Sequence, residues 1–240
     1  MMEEGRNREM KLERIVEWLD RTLDVAAFSD VSNNGLQIAR SGGDVSKVAF
    51  GVDACERTVR AAASAGAQLL VVHHGISWGG GIARISGGVY NVVKAAMDAD
   101  IALYAVHLPL DANEKCGNNF EIARDMGLKR LKRAFVYHGE TIGVVGVDAK
   151  GRKVGVCSGG AGAHAVDAKA LGCDLFVTGE ASWGEVVAAE NCGMKMETRG
   201  HYETETYGVK ALAREMAKAL KVRTEFLHRD SFPKCEGGVR

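Results

Sequence analysis

The sequence lacks a net charge, because 31 lysine and arginine residues are balanced by 31 aspartate and glutamate residues. A neutral chain sets up no global field that attracts nucleic acid or an anionic membrane, which argues against a dedicated DNA-binding module. One local basic cluster is formed by Lys129, Arg130, Lys132 and Arg133. A short cluster of this kind is typical of a solvated face, so nucleic-acid binding is an alternative that we do not favour.

The sequence also lacks long apolar runs and paired cysteines. No segment approaches the roughly 20 apolar residues that a membrane span needs, and the charged N-terminal stretch has no apolar signal core. The six cysteines include no C-x-x-C pair, which excludes a zinc-ribbon pattern and indicates reduced thiols. We therefore expect a soluble, cytoplasmic protein with no membrane partner.

Periodicity in the remaining sequence alternates between short apolar runs and amphipathic stretches, which predicts an α/β fold with mainly parallel strands. We predict strands at 47–52, 68–72, 101–106, 142–147, 153–157, 174–178, 195–198 and 222–227. We predict helices at 10–23, 56–65, 89–99, 118–126, 163–171, 186–191 and 201–220. The glycine-rich segment 75–88 is predicted to be a loop.

Two halves of the chain resemble each other. Residues 47–75 align without a gap on residues 153–181, an offset of 106, and both segments begin with Lys-Val. Each segment reads as a strand–helix–strand unit of the right-handed crossover type. The alignment predicts two related α/β units, although unrelated units of this type share such patterns by chance.

Polar residues follow the predicted strands of both halves. His73 and His74 end one strand, His107 and Asp111 follow the next, and His201 with Glu205 follow a strand in the second half. In open α/β sheets, ligands bind beyond the carboxyl ends of the strands. Imidazoles with carboxylates suit zinc, iron, manganese or nickel. A carboxylate that bridges two ions would produce a two-metal hydrolytic centre.

Five motifs in this order resemble the GTP cyclohydrolase I type 2-like family, also known as the NIF-three-like family. They are N-G-L-Q from Asn34, V-V-H-H-G from Val71, H-L-P-L-D from His107, V-T-G-E from Val177 and G-H-Y-E-T-E from Gly200. The resemblance covers nearly the whole chain. Many members carry Pro after His-His and Asn within H-T-N-L-D, where Gly75 and Pro109 stand here. Neither difference changes a residue that the resemblance implies to be a metal ligand.

The resemblance implies a two-domain subunit with a metal site at the strand ends in the inter-domain cleft. The first domain would comprise residues 1–128 and 200–240, and the second residues 129–199. Carried over by motif, the implied ligands of two divalent ions are His73, His74, Asp111, His201 and Glu205, with Glu205 touching both ions. His107 would orient Asp111 or the substrate, and the subunits would assemble as a homohexamer.

The function implied by the resemblance is that of a metal-dependent hydrolase acting on a nucleotide or related phosphorylated small molecule. Glu180 is a candidate general base, or alternatively a cap for the next helix. The alternative function is a metal-bearing hexameric scaffold or a nucleic-acid-binding ring without catalysis. The predicted cofactors are two divalent ions of zinc, iron, manganese or nickel per subunit.

Two further patterns leave alternatives open. The turn from Gly160 to Ala165 satisfies G-x-G-x-x-A, which indicates either a dinucleotide or phosphate site or a tight strand–helix packing. Trp78 and Trp183 follow His74 and Gly179 by four residues each, which suits either stacking on a base or ordinary packing.

Overall fold

The computed structural model describes residues 9–229. Contacts divide the chain into two compact units. The first unit contains the described residues up to Val25, residues Val31–Val106 and those from Ala213 onward, and the second contains Ala26–Asp30 and His107–Leu212. The mixed α/β class predicted from the sequence is confirmed, with two sheets in which most strand pairs are parallel.

The elements are numbered in chain order. The first stretch contains β1 (Met10–Lys11), α1 (Leu12–Leu23), β2 (Gly35–Ile38), β3 (Asp44–Val45), β4 (Lys47–Asp53), α2 (Glu56–Ser64), β5 (Leu69–His74), α3 (Gly87–Asp98) and β6 (Ala102–Ala105). The second stretch contains α4 (Leu108–Asp111), α5 (Asn118–Asp125), β7 (Lys129–Tyr137), β8 (Glu140–Val147), β9 (Lys153–Cys157), α6 (Ala165–Ala170), β10 (Leu175–Thr178), α7 (Trp183–Asn191), β11 (Met196–Thr198) and α8 (His201–Leu220). Strand β12 (Arg223–Phe226) follows.

The sheet of the first unit has five strands in the order β12-β4-β5-β6-β2. The first four strands are parallel and β2 is an antiparallel edge. The central strands β5 and β6 are buried along almost their whole length, as their continuous apolar sequences predict. Helices α2 and α3 cover one face, where Val59, Val92 and Leu70 belong to one apolar cluster.

The sheet of the second unit has five strands in the order β11-β10-β9-β8-β7. Strands β9, β10 and β11 are parallel, and β7 and β8 form an antiparallel hairpin. His138 and Gly139 at its tip both have positive φ, 50° and 88°, as tight hairpin turns require. Phe176 and Phe135 pack at the centre of one apolar cluster of this unit.

The offset of 106 residues relates the observed elements closely. Helix α2, Glu56–Ser64, corresponds to residues 162–170, which form a short 3-10 turn followed by α6. The first residue of β5, Leu69, corresponds to Leu175, the first residue of β10. Each unit thus contains three consecutive parallel strands joined by two helical segments.

The grouping of residues by contacts differs from the domain bounds implied by the family resemblance. Residues 107–128 and 200–212 belong to the second unit, whereas the implied bounds put them in the first domain. The physical reason is burial, because Phe120 and Ile122 of α5 share an apolar cluster with Val144 and Val156 of the second sheet. Residues 1–8 and 230–240 of the implied first domain lie outside the described residues.

Among the helices within residues 9–229, none combines the length and apolar character needed to cross a bilayer.

Candidate metal centre

In the first unit, strand β5 carries two adjacent histidines at its carboxyl end. The His73 side chain is fully buried, and its Nδ1 donates to the Val106 carbonyl at 3.0 Å. A carbonyl oxygen only accepts, so this bond fixes the proton of a neutral imidazole on Nδ1. The nitrogen of His73 that a metal would take is therefore Nε2.

His74 is oriented in the same way by a carboxylate. Asp53 is its register partner on the neighbouring strand β4, and His74 Nδ1 donates to Asp53 Oδ1 at 2.8 Å. The rings of His73 and His74 lie 4.7 Å apart between centroids. The two side chains are therefore neighbours at the strand end, although strict alternation along a strand would send them to opposite faces.

In the second unit, α8 begins at His201 and brings Glu205 beside it. The spacing of four residues predicts a shared helix face, and His201 Nε2 lies 3.0 Å from Glu205 Oε1. Glu205 is only 3% exposed. The hydrogen bond with Glu205 raises the pKa of His201 to about 9, against the opposing effect of burial and with further help from Glu180.

Glu180 contacts the other nitrogen of the same imidazole. Its Oε1 lies 3.0 Å from His201 Nδ1, so the candidate base from the sequence is a partner of His201. The alternative that Glu180 caps the next helix is wrong. Ser182 caps α7 instead, in a reciprocal arrangement with Glu185.

Glycines let the loop after β9 approach α8 closely. Gly159 has φ +67°, and a Cβ at this position would lie 2.5 Å from Glu205 Oε1. A Cβ on Gly179 would lie 2.7 Å from Thr204 Oγ1. A Cβ on Gly162 would lie 2.5 Å from Ala181 Cβ, which supports the packing interpretation of the glycine turn over a dinucleotide site.

Asp111 is held in a second polar cluster of the same unit. It ends the short helix α4, which has Pro109 in its first turn, and it is 5% exposed. Its Oδ1 accepts from Asn118 Nδ2 at 2.8 Å and from Ser158 Oγ at 3.1 Å. Asn118 Oδ1 also accepts from the Gly208 amide of α8 at 2.6 Å.

His107 is paired with a carboxylate outside the predicted set. Its Nδ1 lies 3.0 Å from Asp30 Oδ1, and Asp30 Oδ2 accepts from the Leu108 amide at 2.9 Å. The predicted link to Asp111 is a backbone bond, because the Asp111 amide donates to the His107 carbonyl at 3.2 Å.

Sequence reasoning did not identify four residues that hold the candidate ligands, namely Asp53, Asp30, Asn118 and Ser158. Only Asp53 carried a usable signal, because it follows the predicted strand 47–52 and so lies at a carboxyl strand end. The other three lie in segments whose partners are distant in sequence.

The donor chemistry fits a divalent transition metal. His73 and His74 in the first unit, and His201 and Glu205 in the second, belong to groups of residues that are able to hold a metal ion. In each of the three imidazoles, Nδ1 is engaged by a carbonyl or carboxylate oxygen. Nitrogen and carboxylate ligands of this type suit zinc, iron, manganese or nickel.

Comparison with known proteins places these residues in a family. The profile of Duf34/NIF3 (NGG1p interacting factor 3) matches residues 10–150 and 136–233. A GTP cyclohydrolase 1 type 2 homolog of Deinococcus radiodurans is 38% identical over 250 residues, covering 92% of this chain and 94% of that protein. A protein of the same name from Archaeoglobus fulgidus is 36% identical, covering 91% and 98%.

A solved structure shows the same fold. A crystal structure of a protein from Thermus thermophilus is 31% identical and has a TM-score of 0.79, covering 94% of this chain and all of that one (100%). The family resemblance inferred from the five motifs is confirmed. The chain belongs to the Duf34/NIF3 family.

Proposed function

We propose that this chain is a divalent-metal-dependent hydrolase with a dinuclear centre, acting on a nucleotide or a related phosphorylated small molecule. The proposed ligands are His73 and His74 from the first unit and Asp111, His201 and Glu205 from the second. The name GTP cyclohydrolase 1 type 2 homolog, carried by relatives up to 38% identical, supports a nucleotide substrate.

The observation that carries the proposal is the pairing of imidazoles with carboxylates. Asp53 holds Nδ1 of His74 at 2.8 Å, and Glu180 holds Nδ1 of His201 at 3.0 Å. Histidines that bind metals almost always donate their other N–H to a carboxylate, a backbone carbonyl or water. The pairs fix the ring orientation and increase the basicity of Nε2, which is the role expected of partners of ligand histidines.

Glu205 is the proposed bridging ligand. It is buried on the first turns of α8, where one oxygen already contacts the positively charged form of His201. A buried carboxylate requires a compensating cation, and its two oxygens are able to serve two ions. Two bound divalent ions would supply Lewis-acid polarisation of the substrate and acidification of a water molecule.

His107 and Glu180 are the proposed proton-handling and positioning groups. The Asp30 side chain is 1% exposed and holds Nδ1 of His107 at 3.0 Å, which fixes the orientation of this imidazole. Glu180 has a side chain that is 63% exposed, and it orients His201. We thus propose that His107 orients Asp111 or the substrate, and that Glu180 both orients His201 and serves as the general base.

We also propose that the chain acts in a reducing cytosol as a homohexamer. None of the five cysteines within residues 9–229 belongs to a disulfide, which agrees with a reducing compartment. The assembly follows only from the family resemblance. Light scattering of the purified protein at micromolar concentration tests it, and a monomer mass would contradict it.

The non-enzymatic alternative receives less support. Lys129, Arg130 and Lys132 are exposed on β7, but Arg133 is paired with Glu114 at 2.9 Å. If the chain were a nucleic-acid-binding ring, retention on DNA would fall steeply as salt is increased.

Elemental analysis of the untagged protein, followed by a nucleotide and phosphoester panel with the metals found, tests the proposal. We expect about two metal equivalents per chain and metal-dependent release of a hydrolysis product. Protein that stays metal-free after incubation with zinc, manganese or iron would refute the proposal. Metal-loaded protein that hydrolyses no member of the panel would leave only the scaffold alternative.

A further inference from the structure

A cavity of about 360 Å³ opens within the first unit beside the histidine strand. One wall is the segment that follows Asp53 at the end of β4, and a second is the segment that follows His74 at the end of β5. The first turns of α3 form the third wall. The cavity thus lies at the carboxyl ends of adjacent parallel strands, where α/β sheets bind ligands, and its volume is within the range of small-molecule sites.

The walls are suited to a flat, uncharged group. Ile76, Val89 and Val92 supply aliphatic surface, and Trp78 supplies an aromatic ring that is 37% exposed. Among the described residues that line the cavity, none is a lysine or arginine, and one is the acidic Glu56. A phosphate group would meet no countercharge here, so the cavity suits the base of a nucleotide rather than its phosphates.

The Trp78 ring is held in place before any ligand binds. Its Nε1–H donates to the Gly75 carbonyl at 3.0 Å, and its backbone forms an antiparallel bridge with Ser32. The ring centroid lies 6.0 Å from that of His74. An aromatic ring fixed in this way loses little freedom when a base stacks on it, and its position brings such a base next to a candidate metal ligand.

The position that corresponds to this cavity in the second unit is closed. At the offset of 106 residues, Glu56 corresponds to Gly162 and Gly75 to Ala181. In the second unit these two positions pack directly, because a Cβ on Gly162 would lie 2.5 Å from Ala181 Cβ. Trp78 corresponds to Gly184, which has no ring. The cavity and its aromatic wall are therefore not a by-product of the shared strand–helix–strand architecture.

We propose that this cavity binds the planar heteroaromatic base of the substrate, with Trp78 as its stacking surface. The inference rests on the proposed function only for the identity of the ligand as a nucleotide. The cavity would set specificity for the base, and the phosphorylated part of the substrate would lie outside it.

The test measures binding of guanosine and, separately, adenosine to the metal-loaded protein by isothermal titration calorimetry. These probes carry a base but no phosphate. We expect saturable binding of at least one nucleoside, weakened roughly tenfold or more by Trp78→Ala and retained within a few-fold by Trp78→Phe. Trp183→Ala is the matched control, because Trp183 is 77% exposed and lies in the second unit.

A second pair of variants blocks the cavity without removing the ring. Gly88 lines the cavity as the second residue of α3, and Gly184 is the second residue of α7. A Cβ at either glycine meets nothing within 4 Å. Gly88→Leu is expected to abolish nucleoside binding and Gly184→Leu to leave it unchanged, with the metal content the same in both.

Absence of saturable binding for both nucleosides, or equal binding by the wild type, Trp78→Ala and Gly88→Leu, would overturn the inference. Failure of the proposed function has a different signature. Nucleoside binding that depends on Trp78 in a protein without hydrolytic activity would support the cavity and refute the hydrolase. Turnover of a phosphorylated substrate without nucleoside binding at Trp78 would support the hydrolase and refute the cavity as a site for the base.

Discussion

His201 and Glu205 lie one helical turn apart at the start of α8, with Nε2 of the imidazole 3.0 Å from Oε1 of the carboxylate. A proton on Nε2 therefore occupies the contact that a metal ion would take between the same two residues. The two candidate ligands are therefore in contact in the metal-free protein, and below about pH 9 the buried carboxylate faces the positive charge of His201.

Replacement of Glu205 tests the bridging role. Glu205→Gln keeps the shape of the side chain but removes its charge, so two bound cations would lose a shared counterion. We expect loss of metal from both positions and loss of turnover, with the fold intact by circular dichroism. Asp111→Asn is the comparison and should lose less metal by elemental analysis. Equal metal content in both variants, with turnover retained in Glu205→Gln, would contradict the bridge.

The stability of the metal-free protein should depend on pH through His201. Its folded pKa of about 9 lies above the ordinary value of 6.5. The contribution is therefore fully present below about pH 6.5 and is lost as pH rises through about 9. Thermal unfolding should show a lower midpoint at alkaline pH in the wild type. His201→Gln should lack this component, and an identical pH profile in both proteins would count against the ion pair.

Loss of the carboxylate partners should weaken metal binding without removing a ligand. Asp53→Asn and Glu180→Gln each remove the charge that orients an imidazole, and we expect roughly 10- to 100-fold weaker metal affinity. Asp167→Asn is a matched control, because Asp167 Oδ2 pairs with Nδ1 of His164 at 2.8 Å and His164 is not a candidate ligand. Competition with a chromogenic chelator measures all three. An effect of Asp167→Asn as large as the others would indicate a general loss of stability.

Gly159→Ala should perturb Glu205 directly. The new Cβ would lie 2.5 Å from Glu205 Oε1 in a backbone with φ +67°. Gly172→Ala separates the backbone strain from the contact with Glu205, because Gly172 has φ +74° and open space around a Cβ. We expect about 1–2 kcal/mol of destabilisation from the backbone alone at Gly172, and a larger loss together with reduced metal content at Gly159. Equal losses in urea unfolding, with metal content unchanged, would dismiss the contact with Glu205.

Asn118 should be important for stability rather than for direct contact with metal. It is fully buried and joins Asp111 to the Gly208 amide of α8. Asn118→Ala removes both bonds, whereas Asp111 Oδ1 keeps its bond from Ser158 Oγ. Loss of buried hydrogen bonds of this kind costs about 1–3 kcal/mol. Urea unfolding should show this loss, whereas Asn191→Ala at the exposed end of α7 should be nearly neutral. A neutral Asn118→Ala would show that other groups hold Asp111.

The parts of the fold that were predicted from sequence are those with strong local signals. The apolar run before His73 identified β5, and the spacing of apolar residues identified α8 from His201 to Leu220. The short edge strand β2 was not predicted, because its residues Gly35–Ile38 alternate weakly and its pairing with β6 is distant in sequence. The grouping of residues 107–128 with the second unit likewise follows from packing of Phe120, which sequence periodicity alone does not predict.

The candidate ligands were identifiable because they end strands or share a helix face, which are local properties. The residues that form hydrogen bonds with them were not identifiable from the sequence. The bond between His107 and Asp30 joins residues 77 positions apart, and that between Ser158 and Asp111 joins residues 47 positions apart. Such bonds depend on how a completed sheet brings loops together, and a single sequence carries no periodic signal for them.

Positions related by the offset of 106 residues carry different side chains in the two units. His74 corresponds to Glu180, and Asp53 corresponds to Gly159. In the first unit the strand end supplies the imidazole and its acid together. In the second unit the strand end supplies only the acid and an open backbone, and the imidazole comes from α8. A chain made of two first units would offer four imidazoles and no counterpart of the buried Glu205, so the proposed two-cation site would lack its bridging carboxylate.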